Sequence, residues 1–382
     1  MITKTDTDAL AGITVLEIAS YVSGPYATML LGDLGATVIK IESPDGGDPF
    51  RGWGKVDYSP TFGSLNRNKK SVVLDLKDPI GREDLRRLAQ RADVLVENLR
   101  PGAMDRMELG YEHLSPLNER LIYCSISGFG SAGPYVDYPG YDTIGQAMGG
   151  LLSLLTEKQA PKPMGISLSD HLAGIFASYG ILGAIVARQG SGRGQRVETS
   201  LLESTIAFLA ENAAGYFETG RAPDRATRTR QAQVFAFVAR DERPFVIHMS
   251  SPQKFWEGLT RAIGRPEMQN DARFGKREAR IANYDELHGL LAAVFRMRDR
   301  DDWLARLRAE DVPCGPLNDL AEVFNDPQVE FLGLRKDLPY PGRDHVSVVG
   351  SAVRLSHTPV RISSAAPQLG ADTEAVLRSL RN

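Results

Sequence analysis

Short apolar runs alternate with amphipathic stretches over residues 9–130. Ile13–Ile18 predicts a strand, Pro25–Leu34 a helix, and Thr37–Glu42 and Ser71–Leu76 two more strands. Gly81–Arg91 predicts a second helix, followed by strands at Asp93–Val96 and Leu121–Ser125. Strands separated by helices of about ten residues point to βαβ units and a mostly parallel sheet. Ligands bind such sheets past the carboxyl ends of the strands. The loops to watch are therefore Ser20–Pro25, Glu42–Trp53, Lys77–Pro79 and Glu97–Gly102.

Helical spacing continues at Tyr141–Leu155 and His171–Arg188, interrupted by the polar stretch Glu157–Pro163. Val197–Tyr216 predicts a long helix. Gly220–Gln231, rich in arginine and with little to bury, predicts a linker. Val234–Ala239 and Phe245–Met249 predict a hairpin, and Gln253–Ile263, Tyr284–Phe295 and Arg300–Glu310 predict helices. The tail returns to a β-like run at Ser347–Leu355 and a last helix at Asp372–Leu380. This gives a large domain over 1–220, a small one over 225–330, and a C-terminal segment, 331–382. The length of 382 residues also favours two domains.

Composition narrows the function classes. The chain is 42% hydrophobic and 24% charged, ordinary for a globular protein. A net charge of −3 argues against nucleic-acid or membrane-surface partners. Two cysteines, Cys124 and Cys314, form no metal spacing or disulfide framework and fit a reducing cytosol. The first residues are acidic with no apolar signal core, and no window reads as a membrane span of ~18 residues. The expected location is cytoplasmic.

Several motifs can be set aside. The loop after the first strand, Ser20-Tyr-Val-Ser-Gly-Pro25, lacks the G-x-G-x-x-G of a dinucleotide site, although Glu42 follows the second strand. There is no G-x-S-x-G elbow, no P-loop, and no metal spacing among the six histidines. Basic residues cluster at Asn66-Arg-Asn-Lys-Lys70, Lys77, Arg100 and Arg106. Each alone reads as solvated surface. Their recurrence after strand ends suits a phosphate-bearing ligand. Asp170 stands where an apolar helical run begins (Leu172, Ile175, Phe176, Tyr179), with Ser167 at capping-box distance. Helix N–H groups and dipole there favour an ionised carboxylate. It can cap its helix, or it can serve as a nucleophile.

Landmarks in fixed order change the weight on Asp170. They are Leu10-Ala-Gly-Ile-Thr-Val-Leu-Glu-Ile-Ala19, Gly32-Asp-Leu-Gly-Ala-Thr-Val-Ile-Lys-Ile-Glu42, and Asn66-Arg-Asn-Lys-Lys-Ser-Val-Val-Leu-Asp-Leu-Lys77. Ala92-Asp-Val-Leu-Val-Glu-Asn-Leu-Arg-Pro-Gly102, Pro139-Gly-Tyr-Asp142, Gly192-Arg-Gly-Gln-Arg-Val-Glu-Thr-Ser-Leu-Leu-Glu203 and Val312-Pro-Cys-Gly-Pro316 follow. With them the chain resembles the family III CoA-transferases, the CaiB/BaiF group that includes formyl-CoA and carnitine CoA-transferases.

The resemblance implies an α/β fold. A Rossmann-like large domain has a parallel sheet built from both chain ends, beside a smaller α+β domain, in an interlocked homodimer. It implies CoA transfer from an acyl-CoA to a small organic acid through an aspartyl anhydride and an aspartyl-CoA thioester, with Asp170 the catalytic aspartate. CoA enters as a substrate, with no tightly bound cofactor and no metal. The implied CoA contacts are Val22, Ser23, Leu74, Asp75, Lys77, Asn98, Leu99, Arg100, Arg106, Gly140 and Tyr141. Val22 stands where some relatives carry glutamine, and Ser43-Pro44 where some carry an arginine that meets phosphate. No glycine run matches the lid of formyl-CoA transferases; Met249-Ser-Ser-Pro252 lies in that region, which disfavours formate or oxalate. Two rivals share the fold. An α-methylacyl-CoA racemase needs a histidine–aspartate pair, and Tyr141 stands where its histidine would be. A catalytically silent CoA-binding protein is the other.

Overall fold

Six parallel strands form one sheet, in the order β3-β2-β1-β4-β5-β6. They are β1 (Thr14–Ile18), β2 (Thr37–Glu42), β3 (Lys69–Val73), β4 (Val94–Glu97), β5 (Ile122–Ser127) and β6 (Arg196–Ser200). The computed structural model describes residues 8–53 and 58–380; the acidic N-terminal stretch falls largely outside them. The chain divides into two compact units. One comprises Met1–Leu152, Lys162–Ala210 and Glu330–Asn382; the other comprises Ser153–Pro161 and Glu211–Val329.

In the first unit the strands are apolar on both faces, as a doubly covered parallel sheet requires. Val15, Val38, Val94, Val96, Ile122 and Cys124 form one buried face. It packs on helix α1 (Ser23–Asp33), which follows β1, and on a 24-residue helix, Leu168–Ser191. Leu16, Ile39, Ile41, Val72 and Leu95 form the opposite face, under Leu85 and Leu88 of α2 (Pro79–Ala89). After β5 come α3 (Asp142–Met148) and then the long helix, hereafter α4. By length and composition α4 is apolar enough to cross a membrane, contrary to the expectation that no such segment exists. Its Ala173, Ala177, Ile181, Ala184 and Ile185 are buried against the sheet. Emptying one large position, as in Ile181→Ala, costs about 2–5 kcal/mol.

Three expectations are corrected here. The predicted helix Val197–Tyr216 begins as strand β6. Alternation there puts Arg196 and Glu198 beside Tyr123 and Ser125 of β5, and the helix, α5 (Leu201–Phe208), starts only at Leu201, capped by Ser200. The sheet is also not built from both chain ends: among the described residues its strands lie between residues 14 and 200. The C-terminal segment returns to this unit as a hairpin and as a helix, Thr373–Ser379, whose Val376 joins the second sheet face. The predicted linker Gly220–Gln231 contains a helix, Arg225–Gln231. Asp224 starts it by accepting the N–H groups of Ala226 and Thr227, a capping box that outweighs the polar composition.

The second unit holds a three-stranded antiparallel sheet, Val234–Val238, Pro244–His248 and Cys314–Pro316. Its core packs Phe235, Phe237, Phe245, Trp256, Phe295 and Trp303.

Candidate active site

Asp170 lies in the first turn of α4, partly exposed. Helix α4 meets the start of α1 closely: a Cβ on Gly174 would sit 2.8 Å from the Ser23 carbonyl oxygen, so only glycine fits. The His171 ring packs edge-on against Tyr26 of α1, and its Nδ1 lies 2.6 Å from the Ser167 carbonyl oxygen. These contacts give His171 a structural role and fix Asp170 beside the loop that follows β1.

The expected capping box is absent, because the Ser167 hydroxyl makes no cap bond. Asp142, the first residue of α3, takes that place and accepts the Asp170 N–H at 3.2 Å. The balance of forces on Asp170 also differs from the expectation. Burial, then the charge of Asp142, pushes its carboxyl up to about 7. Desolvation and a like charge therefore outweigh the helix dipole. Asp142 was overlooked in the sequence. Its signal was an acid opening a helix directly after Gly140-Tyr141.

The loop after β1 is held by Asn98. Its Oδ1 accepts the Ser20 N–H, while Nδ2 donates to the Ser20 carbonyl and the Ser23 hydroxyl. All three bonds are internal, so the amide of Asn98 has little left for a ligand. Val22 is buried with Phe50, Phe62 and Leu65, which leaves its backbone as the part able to face a ligand. Tyr21, in the left-handed region at φ 66, presents its ring edge-on to Tyr141, with centroids 6.0 Å apart. Tyr141 is 65% exposed, and Gly140 lies against Gly128.

Leu74, Asp75, Lys77 and Leu99 meet as the lining of one cavity of about 310 Å³ past the ends of β1 and β2. Asp75 accepts the Lys77 N–H, and the Lys77 ammonium lies 3.2 Å from Asp45, both exposed. Arg100 lines a separate cavity of about 450 Å³, which Leu99 shares. Glu97 lies in its wall, pushed up to about 7 by burial. Arg100 and Arg106 are exposed, and their guanidinium groups have no polar partner among the described residues.

In the cluster Asn66–Lys70 only Lys70 is exposed; Asn66, Arg67 and Lys69 are buried. Arg67 makes a two-point ion pair with Asp33, and Lys69 is buried 2.7 Å from Glu17. Glu17 and Lys40 stand side by side on β1 and β2, 2.6 Å apart, and Lys40 also meets Asp48. Burial works against the Glu17 charge, but the two lysines outweigh it and hold Glu17 down at about 2. Asp48 in turn accepts the N–H groups of Tyr21 and Phe50, so this buried network reaches the loop beside Asp170. Glu42, gripped by Arg51 and Ser71, is not free to hold a ribose. Among the described residues no group of His, Cys, Asp and Glu is placed to hold a metal ion.

The chain is similar throughout to proteins of known name. It is 34% identical to the succinate–glutarate CoA-transferase of Agrobacterium fabrum, covering 97% of this chain and 95% of that one. It is 40% identical to the acetyl-CoA:oxalate CoA-transferase of Acetobacter aceti, over 83% of this chain and 82% of that one. The crystal structure of a CaiB/BaiF family protein from Brucella suis superposes with a TM-score of 0.87 at 34% identity, over 98% of this chain and all of that one. The sequence profile of CoA-transferase family III matches residues 10–373. The chain thus belongs to CoA-transferase family III and is an enzyme of that type.

Proposed function

We propose that this enzyme moves CoA from an acyl-CoA to a free short dicarboxylic acid, with Asp170 as the covalent nucleophile. The observation that carries this is the position of Asp170. It is a partly exposed carboxylate at the start of α4, pushed up by burial and by Asp142, the neighbour of Tyr141, on a helix whose Gly174 meets the Ser23 carbonyl. The relative named for succinate and glutarate supports the acid class, and the one named for oxalate, also a dicarboxylate, runs against the expectation drawn from the missing glycine run. CoA lies across the carboxyl ends of β1, β2 and β4. Leu74, Asp75 and Leu99 hold its base, and Arg100 and Arg106 meet its phosphates. Val22, Ser23 and Gly140 line the pantetheine through their backbones, and Tyr141 flanks the thioester.

In the first step an Asp170 oxygen attacks the thioester carbonyl; the C–S bond breaks and CoA leaves as thiolate. The thiolate attacks Cγ of Asp170, the anhydride C–O bond breaks, and the donor acid departs as carboxylate. The acceptor carboxylate then attacks the aspartyl-CoA thioester and expels the thiolate. The thiolate takes the new acyl group and returns Asp170 as carboxylate. Charge balances at each step without a proton source. Each covalent intermediate replaces one difficult exchange by two easier ones. The assembly is an interlocked homodimer, a reading supported by Ile175, Tyr179 and Val186, large apolar side chains exposed on one side of α4.

A screen of acyl-CoA donors against mono- and dicarboxylic acids, followed by mass spectrometry, tests the reading. New acyl-CoA is expected with dicarboxylic acceptors. No transfer to any acid would refute it.

A further inference from the structure

We propose that Asp142 is a positioning residue for CoA transfer, holding Asp170 through its N–H while its fixed negative charge favours the acylated form of Asp170. The proposal rests on Asp170 being the nucleophile.

Both oxygens of Asp142 are engaged. Oδ1 accepts the Asp170 N–H at 3.2 Å, and Oδ2 accepts from Nε2 of Gln146 at 2.5 Å, one turn further along α3. Gln146 is fully buried, and the same Nε2 donates to the Ile166 carbonyl at 2.9 Å, four residues before Asp170. A carbonyl only accepts, so this bond fixes the amide orientation and makes Asp142 an acceptor too. Gln146 leaves its own Oε1 buried without a partner to keep that orientation. Gly145 lets α3 press onto α4: a Cβ there would lie 2.9 Å from the Leu201 Cβ and 3.2 Å from the Ser169 Cβ. The spacing between Asp142 and Asp170 is therefore set by packing.

Asp142 is the charged group that acts on Asp170. Tyr26 of α1 and His171 of α4 face each other at this helix end, with His171 turned to the Ser167 carbonyl. Tyr141 precedes Asp142, and Ser169 bonds to Thr205 of α5. No cation among the described residues offsets the pair. When Asp170 attacks, its negative charge passes to the leaving thiolate and, in the next step, to the departing acid. The repulsion from Asp142 disappears as the Asp170 ester-type bond forms. The same repulsion keeps the free carboxylate basic, and hence a stronger nucleophile.

Asp142→Asn tests this, because it keeps an oxygen for the Asp170 N–H and removes the charge. The ¹³C resonance of the Asp170 carboxyl is expected to titrate about one pH unit lower than in the wild type. The acid limb of kcat/KM should move down with it, and the fraction of enzyme trapped as aspartyl-CoA at saturating acyl-CoA should fall. Gln146→Leu, which keeps the charge and cuts its tether, should lower kcat and leave the limb in place. An unmoved Asp170 titration in Asp142→Asn, or an equal shift in Gln146→Leu, overturns the proposal. Should Asp142→Asn fail to fold, Asp142→Ala carries the same titration. That titration needs no turnover. Failure of the nucleophile assignment is read separately, from Asp170→Ala that still transfers CoA.

Discussion

Asn98 clasps Ser20 from both sides, accepting its N–H at 3.0 Å and donating to its carbonyl at 2.8 Å. The end of β4 thereby fixes the loop after β1, and a third bond, to the Ser23 hydroxyl, extends the hold to the first turn of α1. Asn98→Ala leaves these partly buried groups unpaired. It should destabilise the protein by about 1–3 kcal/mol and raise the Kd for CoA about tenfold, by loosening the loop. Urea unfolding and calorimetry separate the two effects. Unchanged CoA affinity would mean that this loop does not contact CoA.

Asp170 carries a stability cost that the chemistry requires. Burial and the charge of Asp142 push its carboxyl up to about 7, so the native state binds its proton more tightly than the unfolded chain does. The sign follows: its contribution to stability is full below the unfolded value, near 4, and is lost as pH rises through about 7. Asp170→Asn should therefore raise Tm at pH 8 more than at pH 5, while abolishing transfer. In the wild type, kcat/KM should rise through pH 7 as the carboxylate forms. Hydroxylamine should modify Asp170 only when acyl-CoA is present. A Tm gain that is equal at both pH values would contradict the raised titration.

Cations near the strand ends separate into two groups. Arg100 and Arg106 have no polar partner among the described residues, whereas Arg67 and Lys69 are consumed by Asp33 and Glu17. Removing Arg100 or Arg106 should weaken CoA binding by about 1–3 kcal/mol, and the loss should shrink at high salt. Lys77→Ala should cost less, since Asp45 already neutralises it. Lys69→Met should unfold the protein more readily rather than alter CoA affinity. Equal effects of Lys77→Ala and Arg106→Ala on CoA binding would show that the pairing with Asp45 does not matter.

Glu17 sits between Lys40 and Lys69 with no exposed surface. Glu17→Gln leaves two buried ammonium groups facing an amide, and breaking a buried pair in this way costs about 3–5 kcal/mol. Because Glu17 is held down at about 2, its contribution persists above the ordinary glutamate value and is lost only as pH falls towards 2. Urea unfolding at pH 7 checks the loss. A change below ~1 kcal/mol would show that the network is not a fixed part of the fold.

The apolar runs made β1, β2, β4 and β5 legible, because each carries three or more buried apolar positions, whereas β3 buries a single apolar residue, Val72, within the strand and was placed through the run from Ser71 to Leu76. β6 was not: Arg196-Val-Glu-Thr-Ser200 has one aliphatic residue, and only pairing with β5 makes it a strand. The Asp170 helix start was readable from Leu172 onward. Its electrostatics were not, since the partner carboxylate lies 28 residues earlier and meets it only through the packing of two helices. The Glu17–Lys40 pair left a trace that could have been used: opposite charges inside adjacent apolar strands, at positions the parallel register brings together. Composition cannot tell Lys69 from Lys70, because alternation buries one and exposes the other.

The last prediction concerns reaction type. Two carboxylates at one site invite an acid–base reading, with a proton removed from the α-carbon by one and returned by the other. Such a pair needs both groups free to exchange protons with substrate. Asp142 is not free: one oxygen holds the Asp170 N–H and the other the Gln146 amide. Tyr141 is an exposed phenol standing where two-sided proton transfer would need an imidazole base. Of these three groups Asp170 is left to act, and one group suffices for attack on a carbonyl but not for two-sided proton transfer. A 2-methylacyl-CoA incubated with the enzyme in D₂O should therefore gain no deuterium at its α-carbon, while CoA exchange with an added acid proceeds. Proton NMR of the recovered thioester reads the first, and mass spectrometry the second. Rapid deuterium uptake without transfer to any acid would place Asp142 in the chemistry and overturn the assignment of Asp170 as nucleophile.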